Sequence, residues 1–77
     1  MTDFRLWGRI ESIGPSDFVA IATAVPENDD PVGVHTLAET HASQESAAKA
    51  LEALMVKVSG IVRKSGGTIT RVDTGGL

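Results

Sequence analysis

The sequence contains no cysteine, which excludes a disulfide framework, a thiolate metal cage and a cysteine nucleophile. It also lacks any long apolar run. The longest stretches, Phe18 to Ala22 and Ala53 to Val56, are far short of the roughly 20 residues a helix needs to cross a bilayer, and no membrane association is expected. A basic excess is missing as well: seven Lys and Arg stand against ten Asp and Glu, for a net charge of −3. Such a chain repels a phosphate backbone overall and leaves only local patches to attract one. The opening Met-Thr-Asp-Phe-Arg-Leu-Trp has no basic region followed by an apolar core, so a secretory signal is not expected and a cytoplasmic location is. A chain of 77 residues makes one small domain that buries a modest fraction of its surface. Without a covalent staple, further burial has to come from tight packing or self-association, and a homodimer is expected on that ground.

What is present is regular patterning. Phe4 to Ile13 alternates like a half-buried strand, with Phe4, Leu6, Gly8 and Ile10 on one side and Arg5, Trp7, Arg9 and Glu11 on the other. Gly14-Pro15-Ser16-Asp17 is a turn signal that makes a hairpin with Phe18 to Val25. That second strand is apolar on both sides, Val19, Ile21, Thr23 and Val25 against Phe18, Ala20, Ala22 and Ala24, which predicts a central place in the sheet. Pro26 to Pro31 reads PENDDP, an exposed loop that cannot sustain a ladder. Val32 to Thr40 alternates again, with neither side strongly apolar, as an edge strand does.

The stretch "HASQESAAKALEALMVKVSGIVRKSGGTI" carries the helix. Ser43 is placed to cap its start and Glu45 to complement the positive end of its dipole. Ala47, Ala48, Leu51, Leu54, Met55, Val58, Ile61 and Val62 form one apolar stripe, with Lys49, Glu52, Lys57 and Arg63 largely outside it. Ala47, Ala48 and Ala50 predict a close approach of the helix start to a sheet. Gly66-Gly67 supplies the stop, with Gly66 at positive φ. Thr68 to Asp73 is rich in β-branched residues and reads as a fourth strand, with residues 74–77 as a frayed tail. The fold class is therefore α+β: a two-layer sandwich in the order β-β-β-α-β, a mainly antiparallel sheet with one long helix on one face and the other face uncovered.

Catalytic and metal chemistry find little support. His35, Glu39 and His41 share strand parity and offer imidazole and carboxylate, but His35 and Glu39 fall roughly 13 Å apart along a strand, beyond sharing one ion. Glu27-Asn28-Asp29-Asp30 offers oxygen ligands without the spacing of a calcium loop. No nucleophile, base and orienter assemble, and neither Gly66-Gly67 nor Gly75-Gly76 leads into a phosphate-binding helix. No cofactor or metal is expected, and a small enzyme or metal protein centred on the histidine strand is the third-ranked reading. Arg5, Trp7 and Arg9 are the constellation of interest, because Trp and Arg are enriched in interface hot spots and an aromatic among cations also stacks on bases; on the uncovered face they are expected beside the alanines of the central strand. Three readings stand open: a tryptophan covered by its own neighbours, a protein interface with itself or another chain, and a nucleic-acid surface using Arg5, Arg9, Arg63, Lys64 and Arg71. The discriminating observation is whether those five side chains converge.

The run "DFVAIATAVPENDDP" followed by "THASQESAAKALEAL" and a glycine ending the helix resembles the HicB-type antitoxin domain, a partial RNase H-like fold. Phe18-Val19-Ala20, Val25-Pro26 and Ser43 occupy the places of that family's aromatic-Val-Ala strand, proline loop and helix cap. The resemblance spans Phe4 to about Val72 and implies a protein-binding domain that masks a partner. The family's Pro-Gly-Cys-like step is replaced by PENDDP, and no DNA-binding segment follows in this chain, so operator binding is not implied. The β-β-β-α portion of a double-stranded RNA-binding domain is also similar, but Ser43-Gln44-Glu45-Ser46 stands where that family has lysines, and that family's first helix is missing.

Overall fold

The computed structural model describes residues 2–27 and 34–74. Strands β1 (Asp3–Gly14), β2 (Asp17–Pro26) and β3 (His35–His41) precede helix α1 (Gln44–Lys64), and β4 (Thr68–Thr74) closes the order. They form one sheet in the order β3-β2-β1-β4, with α1 packed on one side. The architecture is the expected α+β sandwich, with β2 in the interior and β3 at an edge. Both hairpin pairings are antiparallel, while β4 returns from the helix to lie parallel to β1. A parallel neighbour needs a crossover of this kind, because a tight turn can only reverse the chain. Strand bounds extend past the expected ones by one residue at several ends. β4 includes Thr74, beside Gly8, which the sequence assigns to the tail; residues 75–77 and most of the PENDDP loop lie outside the described residues.

The helix is specified at both ends. The Ser43 hydroxyl accepts from the Ser46 backbone N–H at 3.1 Å, occupying one of the free donors of the first turn. At the other end Gly67 N–H donates to the Val62 carbonyl at 2.9 Å and Gly66 N–H to Arg63 at 3.1 Å, with Gly66 at φ 88°. This is the paired-bond stop that a left-handed glycine permits. Ala47, Leu51, Leu54, Val58, Ser59 and Val62 are buried. Ala48 is exposed and Ile61 remains 40% exposed, contrary to the stripe expected, because they sit at its opposite margins. The close approach at the helix start thus rests on Ala47, with Ala50 partly buried beside the core.

Beneath the helix the sheet presents Phe4 and Leu6 from β1 and Ala20, Ala22 and Ala24 from β2, all buried. Phe4, Leu51, Val58 and Val62 are the largest fully enclosed side chains, each contributing on the order of 1.5–3 kcal/mol through burial. A β-bulge lies between Ser12 and Gly14. It decides which side of β2 meets the helix. Counting back from the Pro15-Ser16 turn without a bulge would set Trp7 beside Ala24; the extra residue, Ile13, shifts the register so that Trp7 pairs with Thr23 and Gly8 with Ala22. The expectation that the β2 alanines lie beside Trp7 on the uncovered face is therefore corrected.

Candidate interaction surface

The uncovered face, on which no described element packs, is built by alternation along each strand. β1 supplies Arg5, Trp7, Arg9 and Glu11, whose β2 neighbours are Val25, Thr23, Ile21 and Val19 respectively. Thr36, Ala38 and Thr40 continue outward on β3, and Arg71 and Asp73 on β4 lie beside Arg5 and Trp7. Cross-strand neighbours share a face, so the surface is banded: ions around the tryptophan on β4 and β1, then an aliphatic row on β2, then threonines and an alanine. Thr36 Oγ1 donates to Thr23 Oγ1 at 3.4 Å, tying the last two bands together.

Trp7 is half-buried. The Arg9 guanidinium stands 5.4 Å from the centre of its ring, a cation–π arrangement worth about 0.5–1 kcal/mol at an exposed site. Arg9 is itself held by Glu11, Nη2 to Oε1 at 3.1 Å. One of the expected readings, a tryptophan covered by a neighbouring side chain, is therefore present in part. The Trp7 Nε1 is shut off from solvent with no acceptor among the described residues.

The five basic side chains do not converge. Arg5, Arg9 and Arg71 are on the uncovered face, whereas Arg63 and Lys64 occupy the last turn of α1 in the other layer. Arg5 and Arg71 are directly opposed across parallel strands, and with Val25, Pro26 and Glu27 they line an open cavity of about 320 Å³. Like charges so placed repel, and among the described residues neither guanidinium has an ion-pair partner.

His35, Leu37, Glu39 and His41 pair with Ala24, Ala22, Ala20 and Phe18 and so lie on the helix side. His41 Nε2 is 2.9 Å from Glu39 Oε1, while His35 tilts against the Phe4 ring at 5.9 Å and its buried Nε2 has no partner among the described residues. These residues divide into a pair and a core-edge contact; among the described residues no three potential ligands cluster. Of the acidic loop only Glu27 is described. The described helix is also not long and apolar enough to cross a membrane.

Sequence reasoning grouped Arg5, Trp7 and Arg9 correctly on one strand face but missed the aliphatic row Val19, Ile21 and Val25 as their companions. No family model, curated protein or solved structure matches this chain.

Proposed function

We propose that this chain is a small protein-interaction domain without catalytic activity, acting in the cytoplasm through the uncovered face of its sheet, with Arg5, Trp7 and Arg9 at the centre. The observation that carries this reading is one-sided coverage. A single helix lies on one face, and the opposite face sets Trp7 beside Thr23, flanked along β2 by Val25 and Ile21 with Val19 beyond. An aromatic anchor and an aliphatic strip, bordered by Arg5, Arg9, Arg71, Glu11 and Asp73, match the pattern of an apolar centre with a polar rim. The mixed sign of that rim, and the separation of Arg63 and Lys64 from it, favour a protein partner over a phosphate backbone. Masking of a partner protein, as the HicB-type resemblance implies, is the form of activity this surface would serve.

The test is photo-crosslinking in cells. A photoreactive residue at Ile21 or Thr23, on the uncovered face, should capture a discrete protein, and one at Glu52 or Lys57, on the outer side of α1, should not. Trp7→Ala should abolish the capture while leaving the far-ultraviolet circular dichroism intact. Equal capture from both positions, or capture indifferent to Trp7→Ala, would refute the assignment.

A further inference from the structure

The outer edge of β4 is the second place where the fold is unfinished. Among the described residues β4 ends the sheet, so the outward backbone groups of Arg71 to Asp73 meet no described strand, and such an edge is a template for another chain. Two charges on it, Arg71 and Asp73, are exposed and lack ion-pair partners among the described residues. Arg71 instead faces Arg5. On the helix side of the same edge Val72 is 58% exposed and lines a groove with Leu6, Met55, Val56, Ser59 and Arg63. We propose that β4 pairs antiparallel with β4 of a second copy of this chain, about a two-fold axis at Val72, so that Arg71 of each copy meets Asp73 of the partner subunit.

The register follows from symmetry and charge. A two-fold axis normal to the sheet keeps side chains on their own faces and runs the paired strands antiparallel, so the axis must fall on a residue. An axis on Arg71 opposes arginine to arginine, and one on Asp73 opposes aspartate to aspartate. The axis on Val72 alone sets Arg71 against Asp73 in both directions. It makes two cross-strand ion pairs on the uncovered face and brings the two Val72 side chains together on the helix side. It also places a carboxylate beside the opposed Arg5 and Arg71, relieving their repulsion. The pairing of β4 with β1 shifts at Thr70, so Arg71 to Thr74 is the regular stretch on which this register is counted.

The other edge offers no equivalent. On β3, Glu39 already has a partner in its own chain, His41 Nε2 at 2.9 Å, so among the described residues of that edge no unpaired carboxylate is left for a second copy to complete. A contact between β3 of one copy and β4 of the next would be head-to-tail and open-ended, whereas self-pairing of β4 about a two-fold axis closes. The strand pairing runs through the β4 edge and does not use Trp7, so it stands whether or not Trp7 anchors a partner, although its Arg71–Asp73 pairs lie at the margin of the uncovered face.

The absence of cysteine makes the test clean. Residues directly opposed in an antiparallel pair have Cα atoms about 4.5–5.5 Å apart, inside the roughly 4.4–6.8 Å that a disulfide spans. Val72→Cys should therefore form a disulfide-linked dimer under mild oxidation at least about 10-fold faster than Val56→Cys, although Val56 is the more exposed at 73%. In parallel, sedimentation should find the native chain in concentration-dependent dimerisation. Arg71→Asp and Asp73→Arg should each weaken it roughly 10- to 100-fold, by turning two attractions into two repulsions. Combining them should restore it, because the reversed pair is again complementary. Both positions are exposed, and circular dichroism verifies that each variant is folded. Equal oxidation rates for the two cysteine variants, a native chain that stays monomeric to about 1 mM, or a double variant as weak as the singles would each overturn the proposal. Dimerisation lost on Trp7→Ala but indifferent to Arg71 and Asp73 would place self-association on the uncovered face instead.

Discussion

At Gly8 the sheet leaves no room for a side chain beneath Leu51 and Met55 of the helix, and adding one methyl group there tests the packing directly. A β-carbon at Gly8 would stand 2.8 Å from Met55 Sδ and 2.9 Å from Leu51 Cδ1, well inside the roughly 3.5–4.0 Å of a relaxed contact. Met55 is partly buried and can swing aside; Leu51 is 2% exposed and cannot. Overpacking of this kind costs about 1–3 kcal/mol, and the stiffer unfolded chain returns about 0.5–1 kcal/mol. Gly8→Ala should therefore destabilise by up to about 2.5 kcal/mol, lowering Tm by up to about 20 °C in a domain of this size. Leu51→Ala alone should cost about 2–5 kcal/mol through the cavity it opens. In the double variant the methyl group added at position 8 enters that cavity. The combined loss should then fall short of the sum by about 1 kcal/mol or more, measured by urea denaturation of all four proteins. A Gly8→Ala chain more stable than the native one, or losses that add within about 0.5 kcal/mol, would show that α1 does not sit over Gly8 as described.

Leu54→Ala should cost about 2–5 kcal/mol because Leu54 is 4% exposed, whereas the exposed Lys57→Ala should stay within about 0.5 kcal/mol; equal losses would mean the helix face is wrong. Gly66→Val should destabilise by at least about 1–2 kcal/mol, since Gly66 holds φ 88° with no neighbour near its missing β-carbon, so the loss reads backbone strain alone. Arg9→Ala should shift the emission of the chain's lone tryptophan to the red and raise its quenching by acrylamide, because the guanidinium over the Trp7 ring is removed; unchanged quenching would show that Arg9 does not cover it.

Helix α1 was legible because its signals agree: the Ser43 cap, a stripe at steps of three and four, and a glycine stop each mark the same segment. β2 was legible as central from its two apolar sides. Which side meets the helix was not, because that choice turns on one residue. Ile13 is an ordinary strand former, and nothing in its type marks it as the bulge that exchanges the alanines for Val19, Ile21 and Val25 on the face of Trp7. Gly8 held a retrospective clue: a glycine inside a strand signals close approach, and its natural counterpart is another small side chain, Ala22. Val72 went unassigned for a similar reason. The bulge at Thr70 breaks the alternation of β4, so counting along the strand cannot say which of Arg71 and Val72 faces the helix.

The two unfinished surfaces differ in direction, and this has a consequence for how they would act together. Edge pairing through β4 extends the sheet within its own plane, and an axis normal to that plane leaves both helices on one side. Both Trp7 faces then point the same way, separated by the width of the joined β4 strands. Each copy would contribute Arg5, Trp7 and Arg9 to one continuous eight-stranded surface, with the Arg71–Asp73 pairs along its midline. A partner that is itself two-fold symmetric, or that carries two copies of the recognised segment, would engage both patches, and the second contact forms at the high effective concentration set by the first. The short β4 ladder need not be strong alone for this to work: whatever binds across both patches holds the edges together, and the edges in turn fix the spacing that the partner must match.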